Sequence, residues 1–77
     1  MSFKMKTLLK NAREQKGFKT TEVARLLSID KALISKFESG QRIPTEIQIQ
    51  NLSKLLEIDL AVLMVAWYKE KLLQNLN

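Results

Sequence analysis

Two residue types that carry much of enzyme and metal chemistry are missing from this sequence of 77 residues, which contains no histidine and no cysteine. Without histidine the chain lacks the commonest general base and metal ligand. Without cysteine it has no disulfide framework and no thiolate metal site, which suits a reducing, cytoplasmic compartment. No glycine-rich phosphate loop or acidic cluster takes their place. The composition therefore predicts a protein that is not an enzyme and that needs no cofactor or metal.

Long apolar runs are also lacking. The longest, from Leu60 to Tyr68, has nine residues, whereas a helix that spans a bilayer needs about 20. Residues 1–16 contain no apolar stretch of the kind that signal peptides have. With 45% hydrophobic residues, the chain can form one small core, near the lower size limit of a self-sufficient domain. We expect a single cytoplasmic domain over residues 1–77 with no membrane partner.

Positive charge is concentrated in the first part of the chain. The net charge is +5. Residues 1–42 contain ten Lys and Arg against four Asp and Glu, whereas residues 43–77 contain three against four. A basic half beside a nearly neutral half is typical of a DNA-binding surface. The alternative is that these lysines only keep a small domain soluble.

The apolar spacing of residues 20–39 predicts two short helices joined by a tight turn. The two apolar stripes consist of Val23, Ala24 and Leu27 on the first helix and of Ile34 and Phe37 on the second. Asp30 is well placed to cap the second helix, and Gly40 follows it where a left-handed residue ends many helices. This is a helix-turn-helix pattern, which usually presents its second helix to the DNA major groove.

Three further helices complete an all-α, five-helix prediction without strands. The first covers roughly residues 4–16, the fourth runs from a cap at Thr45 to about Leu56, and the fifth covers 60–75 after a cap at Asp59. The residues expected to point inward are Met5, Leu8, Leu9 and Ala12 on the first helix, Ile49, Leu52 and Leu56 on the fourth, and Leu60, Leu63 and Trp67 on the fifth.

The fifth helix is apolar on all sides, and such a helix must be buried on more than one side. We expect the other helices to cover one stripe and to leave a second stripe, formed by Met64, Tyr68 and Leu72, exposed on a monomer. Exposed apolar patches of this kind usually mark an interface. The alternative is that the end of the chain folds back over its own core.

Several short motifs occur here in the order found in one known family. They comprise Leu9, Ala12 and Arg13, Gly17, Glu22 to Ala24, Leu27 to Ile29, Ile34 to Gly40, Pro44, Leu52, Leu56 to Asp59 and Leu63. Over roughly residues 5–65 the chain resembles the phage-repressor type of helix-turn-helix regulators, also called the XRE or lambda-repressor-like family. In its shortness it is similar to the controller proteins of restriction–modification systems. The resemblance implies a five-helix lambda-repressor-like domain that regulates transcription by binding double-stranded DNA.

The resemblance also implies which residues face the DNA bases. They are Lys31, Ala32, Ser35 and Lys36 on the second helix of the motif. Lysine can donate to guanine O6 and N7, serine can pair with several bases, and alanine can contact a thymine methyl group. The alternative is an ordinary exposed helix face.

Other residues are expected to contact the DNA backbone or to reach toward the minor groove. At the start of the second helix these are Lys19, Thr20 and Thr21, although the family commonly has Ser-Gln where this chain has Lys19-Thr20. After the third helix, Gln41 and Arg42 match such positions in the family, and Thr45 begins another helix that can bind a phosphate. Helix N-termini favour phosphate, and a narrow minor groove attracts arginine. Arg13 and Glu38 match a pair that joins the first helix to the third. Ser28 stands where the family prefers glycine, which predicts a slightly strained or re-angled turn.

The expected partners are double-stranded DNA and a second copy of the chain. Dimer contacts are expected on the fifth helix at Met64, Trp67, Tyr68 and Leu72. Such a homodimer would act as a repressor or controller on a roughly palindromic operator. The alternative is an antitoxin or adaptor whose fifth helix binds another protein. No small-molecule ligand is indicated.

Overall fold

The computed structural model describes residues 4–75, and over this range the chain forms five α-helices and no strand. The helices are α1 (Met5–Gln15), α2 (Thr20–Leu27), α3 (Lys31–Ser39), α4 (Glu46–Leu56) and α5 (Leu60–Asn75). The all-α, five-helix prediction is confirmed, and each predicted helix end lies within about one residue of the observed end.

Local side-chain chemistry explains where most helices begin and end. Asp30 Oδ1 accepts a hydrogen bond of 2.8 Å from the N–H of Ala32 in the first turn of α3, and Gly40 ends that helix with a φ of 82°. At the start of α4, the Gln48 N–H donates to Thr45 Oγ1 at 3.2 Å, and the Thr45 N–H donates to Gln48 Oε1 at 2.9 Å. This reciprocal pair is a capping box.

The turn between α4 and α5 is held by two side chains. Ser53, which is buried, donates its hydroxyl hydrogen to the carbonyl of Ile58 at 2.6 Å, and Asp59 Oδ1 accepts from the N–H of Ala61 at 2.8 Å. Glu57 lies in the left-handed region with a φ of 54° and forms an ion pair with Lys16 at the end of α1. The turn is therefore tied both to α1 and to its own helices.

A single cluster of apolar side chains lies between the helices. α1 packs against α3, α4 and α5, while α2 packs on α3 and α4 packs on α5. The buried members are Met5, Leu9, Val23, Ala24, Ile34, Phe37, Ile49, Leu52, Leu56, Leu63, Ala66 and Trp67. Since α2 and α1 support α3 from the inside, the opposite side of α3 faces solvent.

The core stripe of α5 agrees with the prediction at Leu63 and Trp67 and differs at Leu60. Leu63, Ala66 and Trp67 are buried, but Leu60 is 43% exposed, so the inward prediction for Leu60 was wrong. Leu60 is the first residue of α5, and the buried stripe begins about one turn later. Met64, predicted to be exposed, packs partly against the core.

Trp67 needs a second correction, because it was also assigned to a dimer contact. Its side chain is only 4% exposed, so it is not part of the monomer surface. Tyr68 and Leu72 are exposed as expected, at 53% and 65%. The exposed apolar surface of α5 therefore does not include Trp67 and lies on the side of the helix opposite the core.

Candidate nucleic-acid interface

The turn between α2 and α3 fixes the direction of α3. Ala24 is buried and small, which allows the two helices to approach closely. Its carbonyl accepts a 2.9 Å hydrogen bond from the N–H of Ile29. Between these residues, Ser28 adopts a left-handed conformation with φ 55° and ψ 44°, which costs a residue with a side chain about 1–2 kcal/mol. The strained turn expected at Ser28 is thus observed.

α3 is divided lengthwise into a core side and a solvent side. Ile34 and Phe37 are each 2% exposed and anchor the core side. The four residues predicted to face DNA bases, Lys31, Ala32, Ser35 and Lys36, are all exposed on the other side. Within residues 4–75, no carboxylate forms an ion pair with either of these lysines. The structure therefore brings the four predicted residues together on one outward surface, called the α3 face below.

The start of α2, the first helix of the helix-turn-helix, carries three of the residues predicted to contact the DNA backbone. Lys19 and Thr21 are exposed, whereas Thr20 is half-buried. The Lys19 N–H already donates to Glu22 Oε1 at 2.9 Å. The remaining N–H groups of the first helical turn can donate to a phosphate oxygen, although the carboxylate of Glu22 weakens the local attraction for an anion.

The loop after α3 carries the other three predicted backbone contacts. Gln41 and Arg42 are exposed, and both donate their N–H groups to the carbonyl of Lys36, at 3.0 and 3.3 Å. These two hydrogen bonds hold the start of the loop against the C-terminal end of α3. Thr45 is also exposed, but its N–H and its hydroxyl oxygen serve the α4 capping box. Only its hydroxyl hydrogen is left to donate outward.

An ion pair joins α1 to the end of α3. Arg13 donates from Nε to Glu38 Oε2 at 2.7 Å and from Nη2 to Oε1 at 3.1 Å, while Nη1 donates to the carbonyl of Phe18 at 2.8 Å. The side chains of Arg13 and Glu38 are 13% and 11% exposed. Hydrogen bonding to Glu38 raises the pKa of Arg13 above its ordinary value. The pair implied by the resemblance is present, and its place inside the fold makes it a support for α3.

Lys6 is a cation near this surface that the sequence did not single out. Its side chain lies over Gly40, and a Cβ built on Gly40 would come within 3.1 Å of Lys6 Cδ. Lys4, Lys6 and Arg42 line the same cleft between α1, the end of α3 and α5. Lys6 lies seven residues before Arg13, on the same face of α1, and this spacing could have indicated that Lys6 is close to α3.

The described residues include neither a metal-binding cluster nor a membrane-spanning helix. Among residues 4–75, no group of acidic side chains is arranged to hold a metal ion. None of the helices described above combines the length and the hydropathy that crossing a membrane would require.

Comparison with known proteins decides the family. The profile of the family described as helix-turn-helix matches residues 9–63, which span α2, α3 and α4 completely. The chain belongs to the phage-repressor type of helix-turn-helix regulators. It is 32% identical over 60 residues to the ImmF control region 10 kDa protein of Bacillus phage phi105, an alignment that covers 78% of this chain and 67% of that protein. No solved structure gave a significant match. The predicted family is thus confirmed, and this helix-turn-helix regulator binds DNA.

Proposed function

We propose that this regulator binds one specific class of double-stranded operator and controls transcription by occupying it. The α3 face carries this proposal, because its exposed lysines and serine lie together on a helix whose other side is locked into the core. The relative from Bacillus phage phi105 is named for a control region. We therefore propose that this chain acts at a promoter, as a repressor or controller.

Each side chain of the α3 face has a defined part in reading the major groove. Lys31 and Lys36 donate to guanine O6 and N7, Ser35 pairs with a base edge, and the methyl group of Ala32 contacts a thymine methyl. Lys19 and Arg42 flank this face and neutralise phosphates. Specificity then comes from α3, while most of the affinity comes from its flanks.

We further propose that the protein binds as a homodimer through the outward side of α5. Four exposed residues, Ala61, Val65, Tyr68 and Leu72, follow one another at intervals of four, three and four residues. This is the spacing of the contact line between two paired helices. The α5 seam, as this set is called below, replaces the predicted set by exchanging Met64 and Trp67 for Ala61 and Val65.

A twofold axis at the α5 seam explains why the operator should be roughly palindromic. Repressors of this type contact two half-sites separated by about 34 Å, one turn of DNA. Pairing also covers apolar surface that a domain of this size leaves exposed, since Val65, Tyr68 and Leu72 are each more than half exposed. The same pairing joins two DNA-binding surfaces, which raises affinity through effective concentration.

A second candidate function is supported by the same apolar surface. In an antitoxin or adaptor, the α5 seam would bind a different protein and α3 would bind DNA weakly or only within that complex. Purification of the chain alone distinguishes the two functions. A soluble, defined dimer supports self-association, whereas aggregation that a partner protein relieves supports the antitoxin or adaptor.

The decisive experiment selects DNA bound by the purified protein from a random pool and sequences it. We expect an enriched, roughly palindromic site with half-sites one helical turn apart. Affinity should fall steeply as the salt concentration rises. Lys19→Ala or Arg42→Ala should each reduce the slope of log affinity against log salt concentration by about one unit. Lys69→Ala, at an exposed position on α5, is the matched control and should leave the dependence unchanged. A pool without enrichment, bound independently of salt, would refute the proposal.

A further inference from the structure

Trp67 connects α5 to the loop that follows α3. Its indole N–H donates to the carbonyl oxygen of Pro44 at 2.7 Å, and both residues are buried. The two positions are 23 residues apart. Trp67 is the single tryptophan of the sequence, and its polar atom thus reaches out of the core stripe of α5 into the loop between α3 and α4.

This bond holds one peptide plane from one side, and the capping box holds it from the other. The Pro44 carbonyl and the Thr45 N–H belong to the same planar peptide unit, so they point in opposite directions. Trp67 binds the carbonyl, and Gln48 Oε1 accepts from the N–H at 2.9 Å. Pro44 itself has no N–H with which to fix the preceding peptide unit. Trp67 and Gln48 therefore orient the end of this loop, while the carbonyl of Lys36 holds its start through the N–H groups of Gln41 and Arg42.

The ring of Trp67 also contacts the outer part of α5. The Tyr68 ring meets it edge-on, with centroids 5.0 Å apart and planes inclined by 60°. Lys71 Nζ lies 4.5 Å from the centre of the Trp67 ring, within the range of a cation–π contact. Because Tyr68 belongs to the α5 seam, Trp67 lies between the seam and the loop.

We infer that Trp67 is a positioning residue for DNA binding, which holds the loop of residues 41–45 so that Arg42 and Thr45 meet the DNA backbone. Without the indole bond, the loop populates arrangements that do not bind, and affinity falls by the fraction lost. This inference rests on the proposed function and reassigns Trp67 from the dimer interface to the link behind it.

The test compares Trp67→Phe, which keeps an aromatic ring and removes the N–H, with the wild-type protein. We expect binding of operator and random DNA to weaken alike, by roughly three- to tenfold for one lost hydrogen bond. The slope of log affinity against log salt concentration should decrease by up to about one unit, because a phosphate contact is lost. The preference for particular bases should not change. Sedimentation at the same concentrations establishes that both proteins are compared as dimers.

Leu63→Val is the matched control, because Leu63 lies in the same buried stripe and has no polar atom to bind the loop. It should lower stability without changing the salt dependence. An unchanged salt dependence in Trp67→Phe would overturn the inference, because its loss of affinity would then be only a stability effect. If the wild-type protein does not bind DNA at all, the proposed function fails instead.

A measurement on the wild-type protein keeps the inference testable if Trp67→Phe does not fold. Hydrogen exchange of the single indole N–H can be followed by NMR with and without operator DNA. By reciprocity, DNA that prefers the held loop must strengthen the indole bond. We expect DNA to slow indole exchange by a larger factor than it slows exchange of the Leu63 amide. An equal or smaller factor would contradict the role of Trp67.

Discussion

α3 and α5 are built alike on the inside and differ on the outside. Each anchors one stripe in the core, with Ile34 and Phe37 on α3 and Leu63 and Trp67 on α5. The solvent sides differ, because α3 exposes Lys31, Ala32, Ser35 and Lys36, whereas α5 exposes Ala61, Val65, Tyr68 and Leu72. A cationic, hydrogen-bonding surface fits a nucleic acid, and an apolar surface fits protein. The contrast supports the proposal that α3 binds DNA and that α5 binds a second copy of the chain or another protein.

The two helices also differ in how they are fixed. The end of α3 is held by the bidentate Arg13–Glu38 ion pair, and α5 is held to the loop by one indole hydrogen bond. The hydrogen bond to Glu38 raises the pKa of Arg13, so the stability that the charge of Arg13 supplies is fully present below the ordinary pKa of arginine and is lost as pH rises through the elevated value. We therefore expect the placement of α3 to be insensitive to pH near neutrality.

The largest expected effect comes from placing a charge on the α5 seam, because this removes the apolar character that distinguishes α5 from α3. Tyr68→Glu or Leu72→Glu should give a folded monomer, and operator affinity should drop by about 10²- to 10⁴-fold because the second half-site is no longer tethered. Sedimentation velocity and DNA titration measure the two effects. Val62→Glu introduces the same charge at an exposed α5 position that flanks the seam without belonging to it and should remain dimeric.

Two results would contradict the seam. One is a wild-type protein that sediments as a monomer at tens of micromolar while the Glu variants keep both mass and affinity. The other is dissociation by Val62→Glu with no effect of Leu72→Glu, which would place the interface on another side of α5.

The support of α3 can be removed with Arg13→Met. The variant leaves the carboxylate of Glu38 nearly buried without a partner, which should lower the free energy of unfolding by about 3 kcal/mol. Urea denaturation measures the loss. Arg25→Met, at an exposed position on α2, should change stability by less than about 0.5 kcal/mol. Adding Glu38→Leu to Arg13→Met should restore much of the stability, and a double variant weaker than Arg13→Met would show that the buried carboxylate is not the cause.

The character of the α3 face is tested by Lys31→Ala and Lys36→Ala. Each should relax the preference at particular operator positions, at a cost of about 1–3 kcal/mol in discrimination for a good contact. Titration against single-base operator variants maps the positions. Lys54→Ala, on the exposed side of α4, provides the control. A variant that loses operator and random DNA by the same factor would move that lysine to the phosphate backbone.

The smallest expected effect concerns the turn that sets the direction of α3. Ser28→Gly removes the side chain from a left-handed position and should raise the free energy of unfolding by about 1 kcal/mol. Glu57→Gly, at the other such position, relieves the same strain but loses the ion pair with Lys16, and should gain less. A loss of stability in Ser28→Gly would mean that Ser28 makes a contact more valuable than the strain it carries.

Features set by neighbouring residues could be predicted from the sequence. The caps at Asp30, Gly40, Thr45 and Asp59 depend on side chains within three residues of the helix end, and the outward position of the α3 face follows from helical spacing. α5 is different, because a helix that is apolar on all sides gives no preferred direction. Its rotation, which exposes Leu60 and Val65, is decided by packing alone.

Long-range contacts were beyond local rules for a different reason. The Trp67–Pro44 bond joins residues 23 apart, and no spacing rule relates an indole to a loop carbonyl. The left-handed Glu57 likewise carries no local signal, since glycine and asparagine are the usual residues there. The residues of the Arg13–Glu38 pair are 25 positions apart, and only the family resemblance indicated this pair.

The lengthwise division of α3 separates what the protein recognises from what keeps it folded. Because none of the four residues on the α3 face lies in the core, their replacement should cost little stability. On the proposed function, descendants of this chain can therefore acquire new operators by changing a few codons. In the proposed dimer, the α5 seam offers the same freedom for partner choice, since a clash or charge there excludes unwanted partners. Two such regulators could thus diverge within one host without cross-talk, each change being made on a surface that folding leaves free.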